Sequence, residues 1–130
     1  MLTHLLFAAA IILTASPADE TIRSYGGGAG TWQVVEMNGT PFTGTATLSF
    51  PKAGQIAGQA PCNRYVAEMI VPYPWFEVGP IAATRMACPE LDQEAVFFKA
   101  LEAATLSEVQ GGLLILSDDA GDVLVFKPAE

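Results

Sequence analysis

The chain has 130 residues, which suits one domain and leaves no room for two independent cores. Fourteen acidic residues against six Lys and Arg give a formal net charge of −8. That balance excludes a nucleic-acid-binding face and opposes attraction to an anionic membrane, because both need clustered cations.

The chain opens on Met1-Leu2-Thr3-His4, followed by an unbroken apolar run from Leu5 to Leu13 and then Thr14-Ala15-Ser16-Pro17-Ala18. A short apolar core ahead of small residues at Ser16 and Ala18 predicts a secretory signal peptide over 1–18, cleaved after Ala18. The run is too short to span a bilayer, and no cysteine follows it to carry a lipid anchor. The expected product is therefore soluble and exported to the periplasm or cell envelope. Loss of His4 would remove the single histidine. Ser-His-Asp triads, Cys-His pairs and His-based zinc sites are then excluded.

Residues 19–30 are polar and then Gly-rich, ending in Gly26-Gly27-Gly28-Ala29-Gly30. A phosphate-cradling loop would follow a strand and open a helix. Here a strand pattern follows instead, so 19–30 is expected to be a flexible linker.

From residue 31 short β-rich segments alternate with turn residues. Trp32–Met37 reads as a strand closed by Asn38-Gly39, and Ala46–Phe50 alternates apolar with polar. Pro51-Lys52-Ala53-Gly54 is a predicted turn into a strand over Gln55–Ala60. Arg64–Val71 and Trp75–Val78 flank a Pro72-Tyr73-Pro74 bend. Leu113–Leu116 and Val123–Phe126 form a predicted hairpin across Ser117-Asp118-Asp119-Ala120-Gly121-Asp122. The spacing predicts one helix over about 89–106, with Phe97, Phe98, Leu101 and Ala104 on its buried face.

Many strands, short connections and one helix imply an antiparallel sheet. The fold class is mainly β (α+β): a small curled sheet or partial, cracked barrel with one covering helix. The domain is expected over 31–128. Glu94 projects close to the apolar side of the helix, where a carboxylate needs a cation or donors. Arg64 and Arg85 are the candidate cations.

Cys62 and Cys88 carry the most information. In an exported chain two cysteines read as one disulfide. The sharper alternative is a reactive Cys88 thiol, activated just ahead of the helix.

The order of Cys62-Asn63-Arg64-Tyr65 and Ala83-Thr84-Arg85-Met86-Ala87-Cys88, with Trp32 opening the first strand and Gly112-Leu113 starting the closing hairpin, resembles the META domain of HslJ-like heat-shock proteins. The similarity runs from about Thr31 to Lys127. Two features depart from it: Pro61 stands where the family commonly has Gly, and the lipid-bearing cysteine of many relatives is missing. The resemblance implies a cracked-barrel-like fold, association with heat shock, tolerance of antibiotics such as novobiocin, and envelope or secretion-related roles. It implies no established enzymatic activity.

Three readings of function follow from the residues. Tyr65, Tyr73, Trp75 and Phe76, dense in one stretch, either line a site for a lipid tail or extended peptide, in the manner of a pilot or chaperone-like protein, or simply fill the core. Arg64 and Arg85, with Asn63 nearby, either bind an anion or pair internally with Glu94. An enzyme would have to work through a thiol or through Asp118, Asp119 and Asp122, which a solvated turn or weak Ca²⁺ site explains as well. Asn38-Gly39-Thr40 matches a glycosylation acceptor but also a plain turn. The expectation is a non-enzymatic, monomeric binding or interaction module. It has no catalytic residues, metal or cofactor, no membrane span, and a partner that is an envelope protein or lipid.

Overall fold

Alternation of apolar and polar residues leaves one dry face on each strand, and these faces meet around a shared core in a computed structural model of the chain, which describes residues 19–28 and 30–129. The strands are β1 (Thr31–Met37), β2 (Thr40–Pro41), β3 (Thr47–Lys52), β4 (Gln55–Gln59), β5 (Arg64–Glu68), β6 (Ala82–Ala83), β7 (Leu106–Gln110), β8 (Leu113–Ser117) and β9 (Val123–Pro128). One helix, α1 (Leu91–Ala103), lies between β6 and β7. The signal peptide expected over 1–18 lies outside the described residues.

All strand pairs are antiparallel. Their order is β6-β5-β4-β3-β1-β9-β8-β7, with β2 paired to β1. The mainly β fold expected from the sequence is what forms: one curled, open antiparallel sheet with a single α-helix among the described residues. Because β6 and β7 stand at opposite edges, the chain between them must cross the open side, and α1 makes that crossing. Its Phe97 and Leu101 are fully buried against Tyr65, Leu48, Ile56, Leu114, Leu124 and Phe126 of the core. The Tyr65 ring meets Phe97 and Phe98 edge-on, with centroids 5.8 and 5.4 Å apart.

The β1–β2 hairpin follows from its turn residues. Asn38 and Gly39 both have positive φ, 52° and 79°, the conformation that an Asn-Gly turn supplies. Asn38 also ties this turn to β9, its N–H donating to the Val123 carbonyl and its Oδ1 accepting the Val123 N–H.

Several boundaries differ from expectation. The helix is shorter than 89–106. The Leu91 N–H donates to the Cys88 carbonyl, so Pro89 and Glu90 form a turn. Ala104 is extended and Thr105 donates to Ser117, which starts β7 at Leu106. No strand was expected over 107–110, because its one fully buried position is Ser107, whose N–H and hydroxyl both donate to the Pro74 carbonyl. The expected strand at Trp75–Val78 is absent. Only Trp75 bridges to Leu106, while Phe76 donates to the Thr105 carbonyl, so the 73–76 bend covers the edge of β7. The expected strand Arg64–Val71 stops at Glu68.

The largest correction concerns 19–30, expected as a flexible linker. Ile22–Tyr25 forms a 3-10 turn with Ile22 fully buried. Trp32 Nε1 donates to the Gly27 carbonyl at 2.9 Å, Arg23 donates to the Phe50 carbonyl, and Tyr73 donates to Glu20. Asp19 accepts from the N–H of Thr21 and, through a shorter bond, from its hydroxyl. These bonds, with the Arg23 guanidinium beside it, hold the Asp19 carboxyl below the usual carboxylate range. The buried Ile22 side chain and these hydrogen bonds together dock the segment against the core.

Candidate functional site

The two sequence motifs meet at Asn63 and Glu94. Asn63 sits between β4 and β5 and Glu94 in the first turn of α1, both nearly inaccessible to solvent. Glu94 Oε1 accepts the main-chain N–H of Cys62 at 3.0 Å and of Asn63 at 2.7 Å, and Oε2 accepts the Asn63 side-chain amide at 2.7 Å. The second amide hydrogen of Asn63 reaches the Met86 carbonyl. Its Oδ1 accepts the Thr84 hydroxyl and the Met86 N–H. Every hydrogen-bonding position of the Asn63 side chain is thus filled from the protein. The cluster joins the β4–β5 turn, the segment after β6 and the helix; it presents no free group for chemistry.

The ion pair expected between Glu94 and Arg64 or Arg85 does not form. Three N–H donors satisfy the carboxylate instead, and both arginines are exposed. Among the described residues the only ion pair within 4.0 Å is Arg23 with Asp19. Arg64 and Arg85 extend from neighbouring segments, the Arg64 main-chain N–H donating to Thr84 Oγ1 at 3.2 Å.

Cys62 and Cys88 form a disulfide with their Cα atoms 5.7 Å apart, within the usual range for such a bridge. No cysteine is free, so the reactive-thiol alternative for Cys88 has no thiol to act through in this form. Among the described residues, the only three potential metal-ligand atoms that converge are those of Cys62, Cys88 and Glu90. Two of these are consumed by the disulfide. Asp118, Asp119 and Asp122 do not converge: Asp118 accepts the N–H groups of Ala120 and Asp122 to close the turn, and Asp119 accepts the Thr105 hydroxyl.

The four aromatic residues separate. Tyr65 and Phe76 are core residues, each 2% exposed. Burial raises the Tyr65 phenol well above its ordinary pKa, so its hydroxyl stays a donor, bonded to the Thr47 carbonyl. Tyr73 is half-buried and stacks on Tyr25, with centroids 4.9 Å apart. Trp75 is 58% exposed beside Leu106. The four do not line a common cavity.

A concavity lies elsewhere, between α1 and the β8–β9 hairpin. It holds about 330 Å³. Its floor is Met37, Ala100, Ala104, Leu116 and Leu124, and Val96, Lys99, Asp118 and Asp122 stand around it. A second depression of about 480 Å³ continues on the other side of Val96, between α1 and the β1–β2 hairpin, reaching Phe42 and Asp92. Met37, Asn38 and Val96 border both. Sequence reasoning passed over this groove. Its signal is a second apolar stripe on the helix, Val96-Ala100-Ala103, at i, i+4 and i+7 and off the Phe97-Leu101 core face. Val96 is 52% exposed, and small Ala side chains leave the space beneath it open.

The family model of the META domain matches residues 27–130. An NMR structure of a protein from Burkholderia xenovorans superposes with a TM-score of 0.66 at 21% identity, covering 88% of this chain and 92% of that one. The crystal structure of a DUF4847 family protein from Bacteroides vulgatus superposes with a TM-score of 0.68 at 14% identity, covering 83% of this chain and 97% of that one. At such identities the likeness shows the fold alone. No curated protein matches the chain.

Proposed function

Starting from the fact that this chain belongs to the META domain family, we propose that it is a non-enzymatic binding module of the cell envelope, whose ligand presents an apolar group to the groove beside α1. The observation that carries this reading is the groove itself: an open apolar cavity of about 330 Å³, on a fold whose polar cluster is internally satisfied. Small ligand sites are mostly apolar concavities with a few polar groups at their borders, and Lys99, Asp118 and Asp122 supply those here.

Export is part of the same proposal. A signal-like apolar run precedes residue 19, and a disulfide persists in an oxidising compartment. Among the described residues no helix is long and apolar enough to cross a membrane. Residues 19–130 contain no histidine, which removes the commonest general acid–base group. Stoichiometric capture of an envelope component, as a monomer and in a stress- or antibiotic-tolerance role, fits these properties better than turnover.

The test is titration with an uncharged naphthylamine dye whose emission rises in apolar surroundings. Saturable binding that Val96→Asp abolishes, with an unchanged melting transition, is the expected result. Absence of saturable binding to the unaltered protein would overturn the reading.

A further inference from the structure

The groove has length and charge as well as apolarity. From Asp92 to Ala103 the helix rises about 16 Å at 1.5 Å per residue, and cavity lines that whole stretch on both sides of Val96. About five residues of extended chain cover the same distance at roughly 3.3 Å each. Acidic side chains border both parts, Asp92 the second depression and Asp118 and Asp122 the first, with Lys99 the single basic side chain along the border. Asp92 and Asp122 are exposed, and the molecule as a whole carries a formal charge of −8.

Resting on the reading of the groove as a binding site, we propose that its occupant is a short, extended, cationic peptide segment in which apolar and basic residues alternate. In an extended chain successive side chains point to opposite faces, so the apolar set enters the groove over Met37, Ala100 and Leu116 while the basic set stays in water near the three carboxylates. The acidic field of the protein draws such a segment in and repels acidic ones. An anionic lipid headgroup meets the opposite situation, with three carboxylates against one ammonium.

The experiment measures binding of three dansyl-labelled hexapeptides of alternating sequence: leucine with lysine, leucine with serine, and leucine with glutamate. The leucine–lysine peptide is expected to bind about tenfold tighter than the leucine–serine peptide at low salt, and the advantage is expected to shrink as salt rises. Asp92→Lys combined with Asp122→Lys should reverse the order of the lysine and glutamate peptides. Val96→Asp should abolish binding of all three. Equal binding of the three peptides, or a lysine preference that survives Val96→Asp, would overturn the inference. If the uncharged dye and the serine peptide bind the groove without any order by charge, the binding reading stands and the cationic occupant falls. If neither dye nor peptides bind, both fall.

Discussion

Glu94 holds Asn63 at both ends, one carboxylate oxygen accepting its main-chain N–H and the other its side-chain amide, each at 2.7 Å. The two residues lie 31 positions apart, and their bonds fix the start of the helix against the β4–β5 turn. Glu94→Gln places an NH₂ group against a donor and leaves that donor unpaired. The expected loss is about 1–3 kcal/mol, read as a lower urea midpoint with an unchanged slope. Arg64→Ala and Arg85→Ala, at exposed positions without an ion pair, should stay within about 0.5 kcal/mol of the unaltered protein. A loss from either arginine variant equal to that from Glu94→Gln would restore the ion-pair account.

The disulfide closes a separation of 26 residues that contains β5 and β6. In the chain-entropy description a loop of that size stabilises the folded state by roughly 3–4 kcal/mol. Cys62→Ser with Cys88→Ser should therefore lower the melting temperature by well over ten degrees, at about 4–8 °C per kcal/mol for a domain of this size. The Asn63 bonds to Thr84 and Met86 remain to hold the same segment. Native-like circular dichroism at low temperature is accordingly expected in the double variant, measured alongside the melt.

Ile22 turns what reads as a linker into part of the core. Ile22→Ala should destabilise the protein by about 2–5 kcal/mol, the range for truncating a fully buried aliphatic side chain. Trp32 donates to Gly27 in the same region, so its fluorescence reports directly on the docking. The expected signature is a red-shifted Trp32 emission in Ile22→Ala before global unfolding; Trp75 is already exposed and adds a constant background.

Strands that bury an alternating apolar face were legible because period two survives without knowledge of the partner strand, as in Leu48 and Phe50 or Leu124 and Phe126. β7 was not, because Ser107 occupies one of its inward positions and only the distant Pro74 carbonyl makes that burial tolerable. The same limit applied to Glu94. Its need for a partner was evident, but main-chain donors carry no signature in the residue code, and an arginine was the visible candidate. The aromatic stretch was readable as a group but not as individuals. Tyr65 and Phe76 face inward while Trp75 faces out, since the bend at 72–74 interrupts the alternation that would have sorted them. The groove was hidden for the opposite reason: its floor is made of residues each unremarkable alone, and only the crossing of α1 over β8 and β9 places them together.

Gly58 shows how closely two strands approach beneath the helix. It pairs with Tyr65 across β4 and β5, and a Cβ at position 58 would lie 2.8 Å from the Tyr65 hydroxyl oxygen and closer still to the Thr47 carbonyl oxygen. The space is taken by the hydrogen bond between those two groups. Gly58→Ala must therefore push β4 away from the Thr47 carbonyl of β3 and also shift the Tyr65 hydroxyl. Overpacking of this kind costs about 1–3 kcal/mol. Tyr65→Phe removes the hydroxyl and leaves the Thr47 carbonyl without that donor, at a separate cost of about 1 kcal/mol. Because the clash with the hydroxyl disappears with it, the double variant should lose less than the two single variants added together. A double-mutant cycle by chemical denaturation measures that difference directly. Strict additivity would mean that the main-chain carbonyl of Thr47 alone excludes a side chain at position 58.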